Sequence, residues 1–487
     1  MPLRASLIGL LCVFVTACAT PSGVSKSEFA EIERAMAEHI NVLASDGFEG
    51  RRPGTRGERL TLDYLRDEFE KRGLVSGTND PANPWFAPVE LVRTKAVASR
   101  VEFVTNGEPV ALDASEAFAT TNLRRSLLEY APLLFAGASL SERPEDELVG
   151  QVVVLTSSPM RSAGYSKAAF DAGAAAVLQV VENEEVIERF RRFLGTERFR
   201  LESETRDELT AYVTRDALTK IIGEEQFAAL EQAASDPEFA GQLLPITARI
   251  EASRQSPSIV SHNFIGKIQG TKPEAGALIL MGHWDHFGQC GDEADPDRIC
   301  NGAIDNASGL AVMIELSARL QARGPHDRDI YFLGTTAEEW GLLGAKAFIA
   351  RPPLPLDEVV GIFNFDTIAI AGRGSPVVFL GEGYTALDPF VLKAIDRAGR
   401  DLGPRELAEQ FVRRQDGWAF LEAGIPSIML TGALGAPEMQ AYFQSRYHNA
   451  QDNPGELVLS GAVEDMLLHE DLVVELADAE RYPAGGE

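Results

Sequence analysis

The sequence predicts an α/β protein: a mostly parallel central sheet flanked by helices, interrupted by a β-rich α+β insertion. Three observations predict it. From about residue 257, near-continuous apolar runs at 277–281, 330–333, 359–365 and 425–430 alternate with helical segments, as strands buried on both faces do. Ahead of them, two amphipathic helical segments occupy 28–45 and the stretch from Leu60 to Phe69. Between these parts the texture changes to shorter β-like runs, and the block 91–256 contains no histidine. A chain of 487 residues exceeds what one small core needs, so more than one structural unit is expected.

The N-terminus reads as a targeting segment. Arg4 is followed by an apolar run at 7–15 and then by Val15-Thr16-Ala17-Cys18. The run is too short to span a bilayer but suits the apolar core of a signal peptide. Residues 1–18 are therefore expected to be a lipoprotein-type signal peptide, with Cys18 the lipidated first residue of an exported protein. Ordinary cleavage near Ala19 is the plain alternative. By analogy with lipoprotein sorting, Ala19 after the cysteine favours the outer membrane, on the periplasmic face of the envelope. This anchor is the one membrane contact expected.

A polar linker at 19–27 leads to the first helix, where Phe29, Ile32, Met36, Ile40 and Leu43 recur at helical spacing. A turn-rich stretch from Gly47 to Thr55 follows. The second helix presents Leu60, Tyr64, Leu65 and Phe69 and stops at Gly73. In the insertion, strands are expected at 101–104 and 151–155, a helix–strand unit at 166–181 and charged helical segments over 182–240. The expected division is 28–90 with 257–487 as one discontinuous domain, and 91–256 as the inserted one.

Charge narrows the partners. Asp and Glu number 73 against 45 Lys and Arg, a formal net charge of −28. Such a surface repels phosphates, which disfavours a nucleic-acid partner. Of four cysteines, Cys12 and Cys18 fall in the targeting segment; Cys290 and Cys300 could close a small loop in an oxidising compartment.

Chemistry gathers beyond the carboxyl ends of strands in open α/β sheets. The 277–281 run leads to His283 and Asp285, and the 330–333 run to Glu338 and Glu339. The run at 359–365 ends at Asp366, and 425–430 precedes a loop reaching His448. Asp305 sits just before an apolar helix starting at Leu310. Singly, each has a bland reading: a structural histidine, a solvated Glu-Glu pair, an N-cap aspartate. Together, imidazoles and carboxylates at successive strand ends are what one or two zinc ions require.

At these positions the chain resembles the co-catalytic two-zinc aminopeptidases of the bacterial leucyl-aminopeptidase type. The motifs are Gly282-His283-Trp284-Asp285-His286, Asn301 to Gly309, Thr336 to Gly344, Phe365-Asp366 and Tyr447 to Asp452. The resemblance covers roughly 28–90 and 257–470 and implies a zinc exopeptidase fold. It implies that Asp305 bridges two Zn2+ ions, His283 and Asp366 completing one site and Glu339 and His448 the other. Glu338 would be the general base. Asp285 would orient His283 through its carboxylate, and Asp452 could do the same for His448. The Asp305–Asn306 peptide is expected to be cis. The expected reaction is removal of N-terminal residues from peptide substrates. A carboxypeptidase of the glutamate-carboxypeptidase type, and a non-catalytic receptor on the same scaffold, are the alternatives.

Departures exist. Ile304 stands where the family often has an acidic residue, and the gap between His283 and Asp305 is long and holds both remaining cysteines. The segment 415–420 matches through Asp416 and Phe420 but not through Gln415 and Gly417. The inserted block resembles a protease-associated domain through 148–155 and 167–177.

Overall fold

The computed structural model describes residues 24–482, apart from 141–142, 205–206, 237, 292–293 and the side chains of 159–163. The expectations for the signal peptide, Cys18 and most of the linker lie outside the described residues. No helix among the described residues is long and apolar enough to cross a membrane.

The chain divides into two compact units. One comprises the described residues up to Ala87 and from Asn263 onward; the other is Pro88–His262. The first is a mixed α/β unit whose labelled elements are helices α1 (Lys26–Leu43) and α2 (Arg56–Lys71), strands β1 (Ser258–Ile268) and β2 (Ala277–His283), helix α3 (Ser308–Arg323), strands β3 (Asp329–Thr335), β4 (Val359–Asn364), β5 (Val378–Leu380) and β6 (Ser427–Thr431), and helix α4 (Ser460–Ala477). The strand order is β5-β6-β4-β2-β3-β1. The pairs β2/β3, β2/β4 and β4/β6 are parallel, and the outer pairs β1/β3 and β5/β6 antiparallel. The central strands thus end together on one side of the unit.

Side chains alternate between two cores because successive residues of a strand face opposite ways. Leu278, Leu280, Ile330, Phe332 and Phe363 join the core that packs α1, α3 and α4. Ala277, Ile279, Met281, Tyr331, Leu333 and Ile362 join the other, with Phe348 and Phe420. Both faces are covered, which is why these strands are apolar throughout. Helix α1 starts at Ser25, whose Oγ accepts from the Glu28 amide at 3.2 Å. It buries the five apolar positions expected, and His39 with them. Helix α2 buries Thr61, Leu62, Leu65 and Phe69, while Leu60 is only half-buried. In this unit the Ile265 amide donates to the Trp85 carbonyl at 2.8 Å.

The second unit is a mixed sheet with helices. Its strands run in the order Phe86–Thr105, Gln242–Gln255, Arg125–Gly137, Val152–Leu155, Ala176–Val181, Leu209–Thr214, Ala117–Thr121. Its core is aliphatic and aromatic, with Phe103, Phe135, Val154 and Leu178 fully buried. The 182–240 region is not helical throughout: strands Arg198–Leu201 and Leu209–Thr214 separate its helices. Their period-two pattern, burying Phe199 and Leu201 and then Leu209, Ala211 and Val213, overrides the high charge of the segment.

Candidate metal centre

Each strand end delivers one group. Strand β2 stops at His283, in register with Thr335 at the end of β3. Ala337, in the left-handed region at φ 52°, turns the chain into the short 3-10 helix Glu338–Trp340, so the two glutamates leave in different directions. Strand β4 ends at Asn364, two residues before Asp366. After β6, helix Pro437–Ser445 brings round Tyr447 and His448. Asp305 enters from the turn ahead of α3. There Gly302 has φ 57°, and a Cβ would overlap the Asp305 carbonyl oxygen and the His286 ring. The Asp305–Asn306 peptide is cis.

The five candidate ligands converge around Asp305. Its Oδ1 lies 3.1 Å from His283 Nε2, which in turn lies 3.5 Å from Asp366 Oδ1. Its Oδ2 lies 3.3 Å from His448 Nε2, which is 3.0 Å from Glu339 Oε2. His283, Asp305 and Glu339 alone offer donor atoms that all lie within 4.8 Å of one another. Tetrahedral zinc at 2.0–2.1 Å from its donors sets them roughly 3.3 Å apart, so these spacings suit a metal. His448 Nε2 is buried between the Asp305 and Glu339 carboxylates.

Electrostatics agree. Burial opposes charge on His283, but Glu338, Asp305 and Asp366 outweigh it and raise its pKa well above the ordinary value. His448 is raised to about 10, with Asp305 and Glu339 overcoming the same burial. Burial and the nearby Asp416, Asp366 and Glu339 push the Glu338 carboxyl well above the carboxylate range, against the pull of His283. Burial is the largest cause of the rise of Asp285 to about 8 and Asp416 to about 6, with neighbouring carboxylates adding to it. Carboxylates in such excess attract cations.

Several contacts differ from the sequence reading. His283 Nδ1 lies 3.1 Å from the main-chain carbonyl of Asp285, whereas the Asp285 carboxylate is 3.9 Å from that ring nitrogen. Asp285 Oδ1 accepts instead from the Glu338 amide at 3.1 Å. The carboxylate therefore supports the glutamate turn, and the backbone orients the imidazole. Asp452 does not orient His448: its oxygens accept from the Ile304 and Asp305 amides. A chain cannot show, from spacing, which of two nearby loops a carboxylate will face.

His286 was quoted in a motif without a role. Fully buried, its Nδ1 lies 2.6 Å from Glu339 Oε1, leaving Oε2 for the His448 side. Its signal was its place three residues after His283. His448 itself lies between Tyr447, stacked at 3.6 Å, and Phe287 at 4.7 Å between ring centroids. Asp416 accepts from Thr335 Oγ1 beside Glu338. Cys290 and Cys300 are disulfide-bonded, with Cα atoms 5.8 Å apart, just ahead of the Asp305 turn. A pocket beside Asp366 and Tyr447 is lined by Leu380, Phe411, Met429 and Phe443, with Arg414 and Gln415.

The segment that carries this geometry has known relatives. Residues 263–466 match the model of Peptidase family M28. The probable lipoprotein aminopeptidase LpqL of Mycobacterium tuberculosis is 28% identical over 210 residues, 39% of this chain and 38% of that protein. Aminopeptidase YwaD of Bacillus subtilis is 29% identical over 155 residues, 31% of this chain and 32% of that one. The chain thus spans about a third of the length of these relatives. An aminopeptidase structure from Aneurinibacillus sp. strain AM-1 superposes with a TM-score of 0.56 at 18% identity, covering 91% of this chain and 93% of that one, a likeness of fold. The segment that matches the Peptidase family M28 model, residues 263–466, supplies all five converging donors.

Proposed function

We propose that the protein is a zinc-dependent exopeptidase that removes N-terminal residues from peptides, using two metals. One observation carries the reading: the two oxygens of Asp305 face separate donor sets, His283 with Asp366 on one side and His448 with Glu339 on the other. Each set with its Asp305 oxygen offers three donors, the number of protein ligands a catalytic zinc would take. The aminopeptidase names of LpqL and YwaD support the choice of chemistry. When bound, the zinc ions supply Lewis acidity and acidify a water toward neutral pKa.

The chain's own residues do the rest. Glu338 stands outside both donor sets and takes a proton from the attacking water, then returns it to the departing amide nitrogen. The Asp285 carboxylate holds the Glu338 amide and so its turn. The pocket lined by Leu380, Phe411, Met429 and Phe443 receives an apolar side chain of the first residue. The carboxylate surplus of the site favours a free, cationic amino terminus over a carboxylate end. Arg51, buried at the site, spends its guanidinium on main-chain carbonyls rather than on a substrate carboxylate.

By the same reasoning the protein is exported and lipid-anchored at Cys18, a reading supported by the lipoprotein relative. Residues 91–256 are an inserted domain of the protease-associated kind, supported by the β-rich mixed architecture of Pro88–His262. The deciding experiment is a panel of free-amine and N-blocked peptides, assayed with and without a chelator. Chelator-sensitive cleavage of free-amine peptides is expected. Cleavage of N-blocked peptides alone overturns the assignment of peptide end, and chelator-resistant cleavage overturns the metal assignment.

A further inference from the structure

The turn that carries Asp305 is gripped from two sides by opposite charges drawn from distant parts of the chain. On the carbonyl side is Arg51, with no exposed surface. Its Nε donates to Trp284 O at 2.9 Å, and Nη1 to Leu43 O at 3.0 Å and Asn301 O at 2.6 Å. Its Nη2 donates to Gly302 O at 2.9 Å and reaches Asp305 O at 3.5 Å. Every acceptor is a neutral carbonyl. A buried guanidinium is costly to desolvate, and here it is spent wholly on fixing main chain.

On the amide side is Asp452, equally buried. Both of its oxygens accept from the Ile304 amide at 3.1 Å, and Oδ2 also from the Asp305 amide at 3.1 Å. Its main-chain carbonyl accepts from the Ala303 amide at 3.1 Å. Tyr442 donates its hydroxyl to Oδ2 at 3.1 Å, holding the carboxylate in place. Carbonyls 301, 302 and 305 thus go to a cation, and amides 303, 304 and 305 to Asp452. Arg51 also holds the carbonyl next to His283, and Asp452 closes the loop that bears His448. The same two residues therefore tie three donor-bearing segments into one frame.

We infer that Arg51 and Asp452 are positioning residues, a charge-opposed clamp that sets the orientation in which Asp305 offers one oxygen to each donor set. This rests on the reading of Asp305 as a shared metal ligand. Neither residue touches the metals or the substrate; both act through the main chain of residues 301–305. Groups that orient ligands in this way commonly govern 10–100-fold in metal affinity or activity.

The test is D452N, which keeps the shape and removes the charge, with R51K, whose ammonium cannot reach four carbonyls at once. Each is titrated with Zn2+ against a competing chelator, examined with Co2+ by its d–d absorption, and assayed on a free-amine peptide. The clamp predicts a 10–100-fold weaker zinc affinity, an altered cobalt spectrum, and a fall in kcat with KM within about twofold. Thermal unfolding of the metal-free variants against the metal-free wild type reports the loss of main-chain contacts separately from the loss of metal affinity. Wild-type affinity, spectrum and kcat in D452N overturn the clamp while leaving the two-metal reading intact. A wild-type chain that binds no divalent metal overturns that reading, and the clamp with it. If D452N does not fold, Y442F carries the test: it strips one donor from the carboxylate and should weaken zinc two- to fivefold with the same spectral change. Unchanged affinity and spectrum there overturn the clamp.

Discussion

The two units of the chain handle buried charge in opposite ways. In Pro88–His262, the buried ionisable groups among the described residues are Glu102 and Arg254, each at the edge of exposure. Glu102 takes an ion pair from Arg100 at 2.7 Å, and Arg254 bonds the Thr121 carbonyl at 2.8 Å. The other unit buries Arg51, Asp285, His286, Asp305, Asp416 and Asp452 around one point, each at 3% exposure or less. Each such group costs several kcal/mol to desolvate unless partnered. A fold optimised for stability alone would fill those positions with leucine. Charge is concentrated in one interior and nearly absent from the other.

The largest effect expected is E338Q, which should lower kcat by about 10³-fold, within the range for a general base, while zinc content stays at the wild-type level. Near-normal turnover would remove Glu338 from the mechanism. On the other side of the comparison, Phe135 is fully buried and edge-on to Phe227 at 5.9 Å. F135A should cost about 3–5 kcal/mol in denaturant unfolding and leave zinc affinity unchanged. A matching loss of metal would break the separation of roles. Chelation should withdraw about 2.7 kcal/mol, for zinc held at about a hundredfold over its Kd. Hydrogen exchange should then speed up at amides 303–305 and not in strands Val152–Leu155 and Ala176–Val181.

A fourth effect concerns pH. His469, fully buried against Phe363 and Phe365, has its pKa pushed down to about 4 by burial. It stays neutral when folded, while the unfolded chain protonates it below about 6.5. Its contribution is therefore complete above pH 6.5 and is lost as pH falls towards 4. Between pH 7 and 5, wild type should lose about 2 kcal/mol more than H469Q in urea unfolding. Equal losses would show that the imidazole protonates freely in the fold. Smallest of all is R125A, which breaks an exposed pair with Glu251 and should change stability by less than about 0.5 kcal/mol.

Much of this was legible in the sequence because its signals are local. The four apolar runs became β2, β3, β4 and β6, since a strand covered on both faces must be apolar throughout. Strand ends then brought His283, Glu339, Asp366 and His448 together without any knowledge of contacts. What stayed hidden depends on partners far along the chain. Arg51 lies in a turn-rich stretch with nothing to distinguish it from Arg52, yet its acceptors are up to 254 positions away. Asp452 follows His448 but serves Asp305. Asp285 follows His283 but serves Glu338, because the nearer carbonyl already holds the imidazole. In each case the residue type was readable and the direction of the side chain was not.

The hydrogen bond between Trp85 and Ile265 makes the chain a splice site. The polypeptide departs for residues 88–262 and returns to a point one bond away, so a short hairpin turn could replace the whole excursion. Every donor named above sits on the retained side. A trimmed chain would keep all five donors, which lie outside residues 88–262. The junction is thus a handle at which residues 88–262 can be altered while the five donors keep their strand ends.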